Sequence, residues 1–102
     1  MNSGELLRRI KDKKAVTLLD GGMGTLLAEK GWAPPALPEE MNMTHPETVL
    51  KIHVSYLAAG ADIIETNTFG GSPIKLAARG LDGRAREINC LAASLARRAA
   101  GD

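Results

Sequence analysis

Residues 15–24 read Ala15-Val16-Thr17-Leu18-Leu19-Asp20-Gly21-Gly22-Met23-Gly24, and residues 62–71 read Asp62-Ile63-Ile64-Glu65-Thr66-Asn67-Thr68-Phe69-Gly70-Gly71. Each begins as a short β-rich run and stops abruptly in polar residues and glycine. The first run is apolar at both parities, the pattern of a parallel strand covered on both faces. A short helix is expected after each loop, over residues 25–30 and 73–79, with Gly31 and Gly80 as terminators.

Between the two units the sequence announces a longer helix. Thr44 and Glu47 match a T-x-x-E capping box, Pro46 suits the first turn, and Gly60 closes the segment. Val49, Ile52, His53, Tyr56 and Leu57 recur on one helical face. Residues 32–38 hold three prolines and predict an irregular segment, long enough to fold over its neighbours, with Trp32 and Met41 packing it down. A polar helix over residues 4–13, with the narrow stripe Leu6, Leu7 and Ile10, leads the chain. Asp82 can cap a last helix whose apolar side is Ile88, Leu91, Ala92, Leu95 and Ala99.

Strand and helix alternate, which is βαβ logic and predicts a parallel sheet. Two parallel strands leave unpaired edges, and a sheet needs about three strands to stand alone. A complete (β/α)8 barrel takes roughly 250 residues. The expectation is therefore an α/β chain whose residues 1–102 form a leading helix and the first two β/α units of an incomplete (β/α)8 TIM barrel, truncated or split from its remainder. A small autonomous α-rich domain is the competing architecture.

Composition narrows the function. The chain has 102 residues, 44% hydrophobic, with one Trp, one Tyr and one Phe, so its core rests on small aliphatic side chains. Thirteen basic and twelve acidic residues give a net charge of +1, no electrostatic footprint for nucleic acid. The basic clusters at Arg8–Lys14 and Arg97–Arg98 read as solvated helix faces. Cys90 is the lone cysteine, so no intrachain disulfide forms. No signal-type apolar region opens the chain, and no stretch reaches the ~18 apolar residues of a membrane span. A cytoplasmic protein with neither nucleic-acid nor membrane partners is expected.

Chemistry concentrates where the two runs end. Asp20 closes the first; Glu65, Asn67 and Thr68 close the second. Ligands bind at the C-terminal ends of strands in barrels and open α/β sheets. Parity puts Ile63, Glu65 and Asn67 on one side, pointing into the barrel's upper interior, with Ile64 and Thr66 facing the helices. A buried Glu65 carboxylate requires a partner, from an internal network or from a ligand. Gly21, Gly22 and Gly24 let backbone approach a ligand and expose N–H groups that hold a carboxylate or phosphate. Gly22-Met23-Gly24 imitates the start of a dinucleotide fingerprint, but Leu27 replaces its third glycine. His53 is expected as a hydrogen-bonded core residue and His45 as a surface one. Nothing has metal-ligand spacing.

Three segments together resemble the homocysteine-binding domain of homocysteine S-methyltransferases, a group that includes cobalamin-dependent methionine synthase: Asp20-Gly21-Gly22-Met23-Gly24-Thr25, Leu37-Pro38-Glu39-Glu40-Met41-Asn42 and 58–70, ending Glu65-Thr66-Asn67-Thr68-Phe69-Gly70. The resemblance runs from about Leu18 onward. It implies a zinc-binding (β/α)8 barrel that transfers a methyl group to the homocysteine sulfur, giving methionine. Carried over, Asp20 pairs with the substrate ammonium, the N–H groups of Gly21 and Met23 hold its carboxylate, and Asn67 and Thr68 lie near substrate and metal; the reading of the run ends themselves adds Gly22 and Glu65 to the expected substrate-binding residues. The family's three zinc cysteines have no counterpart here, so zinc would come with segments beyond residue 102 and this chain alone would be silent. Gly70, where the betaine-using branch tends to have tyrosine, favours methylcobalamin as donor. The expected partners are homocysteine and the rest of the barrel. The rivals are a nucleotide- or phosphate-binding module built on the Gly21–Gly24 loop, and a non-catalytic chain completing another subunit's barrel.

Overall fold

The computed structural model describes residues 2–101. Asn2 starts α1 (Ser3–Lys11): its side chain accepts the Glu5 N–H at 2.9 Å. Of the apolar stripe expected for this helix only Leu6 is half-buried, beside Leu57 and Ile64. No α1 residue is buried, and Leu7 and Ile10 are exposed. Arg9 anchors the helix instead, its guanidinium donating to Asp62 Oδ1 at 3.1 Å and to the Val16 carbonyl at 3.0 Å.

The two runs expected as strands come together, but not as a sheet. Among the described residues they share one parallel bridge, Leu19 with Ile63. The Leu18 carbonyl accepts the N–H groups of Asp62 (2.8 Å) and Ile63 (3.1 Å), and the Ile63 carbonyl accepts the Asp20 N–H at 2.9 Å. The parallel direction agrees with βαβ logic; the two full β/α units do not appear. The reason is pairing. Val16, Leu18 and Leu19 are each more than half exposed, and these apolar side chains have no second layer against them. A two-stranded parallel pair without neighbours gains too few hydrogen bonds to extend its ladder. Asp62 ties the segment sideways: its carboxylate accepts the Leu18 N–H at 3.0 Å as well as Arg9, and the Leu18 bond first, then Arg9, holds its carboxyl below the usual range.

The rest is helical. After α2 (Gly24–Glu29) and the proline-rich segment come a 3₁₀ turn (Pro38–Glu40), α3 (Met41–Thr44) and α4 (Pro46–Ala58). Then follow α5 (Pro73–Ala77), a 3₁₀ turn (Asp82–Arg84) and α6 (Ala85–Ala100). Neither expected cap forms. Thr44 is itself helical and its hydroxyl donates to the Glu40 carbonyl at 3.2 Å. Pro46 pushes His45 out of the helical region, to φ −139°, and this break rather than a capping box separates α3 from α4. Asp82 sits in the 3₁₀ turn, and Arg84, whose side chain pairs with Glu87 and caps no backbone N–H, precedes α6. The terminators hold: Gly31 and Gly60 adopt φ +104° and +112°, which a side chain would resist.

The core lies where α4 meets α6 and α2. Leu27, Met41, Val49, Ile52 and Leu95 are buried together, with Met23, Trp32 and Tyr56 packed around them. A second cluster, Leu76, Ala85 and Ile88, lies under α5. Each buried Leu, Ile or Val contributes about 1.5–3 kcal/mol. Trp32 does pin the irregular segment, donating its indole N–H to the Ala36 carbonyl at 3.0 Å.

Candidate functional site

Just past the bridge the chain opens a cleft of about 500 Å³. Asp20, Gly21, Met23, Glu65, Asn67 and Thr68 all line it, together with Gly24, Thr66, Phe69, Gly70, Lys75 and residues 37–39. The two loops, 45 residues apart in sequence, are joined by the Asp20 carboxylate, whose Oδ2 accepts the Glu65 N–H at 3.0 Å.

The individual side chains depart from the simple parity picture. Glu65 is exposed along the cleft rather than buried, so it needs no internal partner. Thr66, expected against the helices, lines the cleft, and its hydroxyl lies 2.8 Å from that of Thr68. Asn67 is buried, and its amide Nδ2 donates to the Pro38 carbonyl (3.0 Å) and to Asn42 Oδ1 (3.0 Å). Asn42 returns the bond, donating to the Asn67 carbonyl at 3.0 Å. The extended, weakly paired run does not keep a strict alternation, because a single bridge fixes only one residue's facing.

Gly22 is not among the cleft-lining residues. Its carbonyl accepts the Tyr56 hydroxyl at 2.6 Å. At Gly21 an added Cβ would stand 3.0 Å from the Tyr56 oxygen, so the lack of a side chain serves the seat of this ring. The glycine loop is thus bolted to α4 by Tyr56 on one side and faces the cleft on the other.

Sequence reasoning missed Glu39, which lines the cleft, and Asn42, which lies behind it against Asn67, although both are in the segment 37–42 that carries the family resemblance. Glu39 is 2% exposed and its carboxylate accepts the Gly70 N–H. Glu40 turns outward to Arg79, with contacts of 2.9 and 3.2 Å, and accepts the Leu37 N–H at 2.6 Å. Arg79 first, then the Leu37 N–H, holds the Glu40 carboxyl below its ordinary range against the opposing effect of burial. His53 is fully buried, but neither ring nitrogen has a hydrogen-bond partner among the described residues, contrary to the expected bonded imidazole. Burial pushes its pKa down, opposed by the Asp20 charge. His45 is exposed, as expected, with Nδ1 2.8 Å from the Thr44 hydroxyl.

The family model for homocysteine S-methyltransferase matches residues 17–102. The chain belongs to the homocysteine S-methyltransferase family. Two crystal structures of the homocysteine methyltransferase MmuM from Escherichia coli are similar to it. The metallated form shares 33% identity at a TM-score of 0.79, and the oxidized form 32% at 0.78. Each match covers 91% of this chain and 33% of the MmuM chain, so this member spans about a third of the length of those enzymes.

Among the described residues no three His, Cys, Asp or Glu side chains are grouped to hold a metal, and Cys90 is exposed on α6. No helix among them is long and apolar enough to cross a membrane.

Proposed function

We infer that this chain forms the amino-acid-binding wall of a homocysteine S-methyltransferase, a (β/α)8 enzyme that moves a methyl group onto the homocysteine sulfur. The observation that carries this reading is the convergence of Asp20, Gly21, Met23, Glu65, Asn67 and Thr68 on one cleft. The Asp20 carboxylate pairs with the ligand ammonium, and the loop amides of Gly21 and Met23 take its carboxylate. A charge-assisted hydrogen bond of this kind is worth about 1.5–3 kcal/mol. Tyr56 and the Glu65 N–H hold loop and carboxylate in place before the ligand arrives, which lowers the ordering cost of binding.

Zinc, as the family resemblance implies it, would supply the acidity that makes the homocysteine thiol a thiolate, and the residues described here would bind and orient the amino acid without holding the metal. A corrinoid-bound methyl group is the donor this reading favours, from Gly70 at the turn of the second loop. Nucleotide binding is disfavoured by the three carboxylates lining the cleft, Asp20, Glu39 and Glu65, which oppose a polyphosphate.

Calorimetric titration with L-homocysteine tests the reading. The wild-type protein binds and Asp20→Asn weakens binding about tenfold or more. Equal affinity of the two proteins, or preference for a nucleotide over homocysteine, would remove the proposal.

A further inference from the structure

Glu39 is the least expected residue in the cleft wall. A carboxylate on the turn before α3 would ordinarily face solvent, yet this one is 2% exposed. One oxygen, Oε1, accepts the Gly70 N–H. The other, Oε2, is enclosed and has no hydrogen-bond partner among the described residues. Its neighbour Glu40 has the opposite fate, satisfied by Arg79 and the Leu37 N–H. Gly70 keeps the contact open, because a Cβ there would come within 3.0–3.2 Å of the Glu39 carboxylate. The one cation lining the cleft, Lys75, stands over the Phe69 ring, 4.8 Å from its centroid, and no ion pair to Glu39 is formed among the described residues.

A buried carboxylate oxygen without a donor is costly, and such groups are retained where a ligand, ion or water supplies the missing donor. The cleft adds Asp20 and Glu65 to the same wall, so its lining carries three carboxylates against one ammonium. That balance selects a cationic donor. We propose that Glu39 is a second acidic contact for the ligand's primary ammonium group, acting with Asp20 from the opposite loop. Asp20 reaches the ammonium from the end of the bridge, and Glu39 from beneath the Asn67–Gly70 turn. Two carboxylates around one ammonium select α-amino acids over thiols that lack the amine. The proposal deepens the homocysteine reading and rests on it for the identity of the ligand, though not for its charge.

Glu39→Gln separates this role from a structural one. Glutamine keeps an oxygen that accepts the Gly70 N–H and puts an uncharged NH2, a donor rather than an acceptor, in place of the unpartnered oxygen. Titrations use L-homocysteine and 4-sulfanylbutanoate, the same thiol acid without the amine. The proposal expects the variant to lose tenfold or more in homocysteine affinity and to bind the des-amino acid like wild type. Unchanged homocysteine affinity, or equal loss of both ligands, would overturn it. A measurement on wild type alone guards against a misfolded variant: the Glu39 side-chain carboxyl ¹³C resonance shifts with homocysteine and stays put with 4-sulfanylbutanoate. If wild type ignores homocysteine, the homocysteine reading fails, and the same comparison with L-methionine and n-butylammonium decides Glu39. Binding of none of these amines would end the proposal.

Discussion

Replacing Asn42 by alanine removes the member that ties the second cleft loop to the helical layer. Asn42 is 1% exposed. Its Nδ2 donates to the Asn67 carbonyl at 3.0 Å and, more weakly, to the Ile88 carbonyl at 3.4 Å, while its Oδ1 accepts from Asn67 Nδ2 at 3.0 Å. Asn67 retains the Pro38 carbonyl for its Nδ2, so the main stranded group is its own buried carbonyl. Losing two net hydrogen bonds at about 1 kcal/mol each, and leaving one carbonyl unsatisfied at about 1–3 kcal/mol, gives an expected loss of about 3–5 kcal/mol. That is a large share of the roughly 5–15 kcal/mol of a typical domain. In urea, with a slope of about 1–3 kcal/mol per M, the midpoint falls by at least about 1 M with the slope unchanged. Asn42→Asp sharpens the test. It keeps the acceptor but points a carboxylate at the Asn67 and Ile88 carbonyls. It is therefore at least as destabilising at neutral pH and recovers in acid, where a protonated carboxyl can donate. A loss below about 0.5 kcal/mol for Asn42→Ala, the range of ordinary surface changes, would refute the view that this amide pair organises the site.

Other consequences follow from the same wall. Gly21→Ala places a methyl 3.0 Å from the Tyr56 oxygen, so it weakens homocysteine binding, and Gly21→Ala with Tyr56→Leu recovers part of the loss by calorimetry. His53 has a lowered pKa in the folded state, so the unfolded chain binds its proton first. Stability is therefore full above the unfolded value near ~6.5 and declines as pH falls below it. His53→Leu flattens this decline in urea titrations between pH 7 and 5. Glu40 also has a lowered folded pKa, so the stability it contributes is present above its ordinary value and is lost as pH falls through the folded one. Arg79→Gln shrinks that acid-side loss, read from melting temperature against pH.

The legible part of the fold was periodicity and punctuation. The stripe Val49, Ile52 and His53 is buried as its spacing requires, and Gly31 and Gly60 end their helices in the left-handed region. The parallel sense of the Leu19–Ile63 pairing was legible from strand-helix alternation, but the strands themselves were not realised. A strand exists through its neighbours, and these runs have only each other. The cap readings failed for a local reason: Pro46 dictates the backbone of His45, and this overrides the Thr44–Glu47 pattern. The convergence of the two run ends was recoverable because chain topology brings Asp20 next to Glu65. Glu39 and Asn42 were not, because the 3₁₀ turn and four-residue helix that carry them are too short to show a periodicity. Only tertiary folding shows that segment 37–42 clasps the Asn67–Gly70 turn. The apolar position of His53 predicted burial correctly and hydrogen bonding wrongly, since spacing encodes a face and says nothing of partners.

Amide-resolved NMR titration of the protein with L-homocysteine reads the cleft most directly. The account predicts saturable shifts at the Gly21, Met23, Glu65 and Thr68 amides, with the α2–α4 groove lined by Lys30, Lys51 and Ser55 unmoved. Shifts confined to that groove, or none at millimolar ligand, would contradict it.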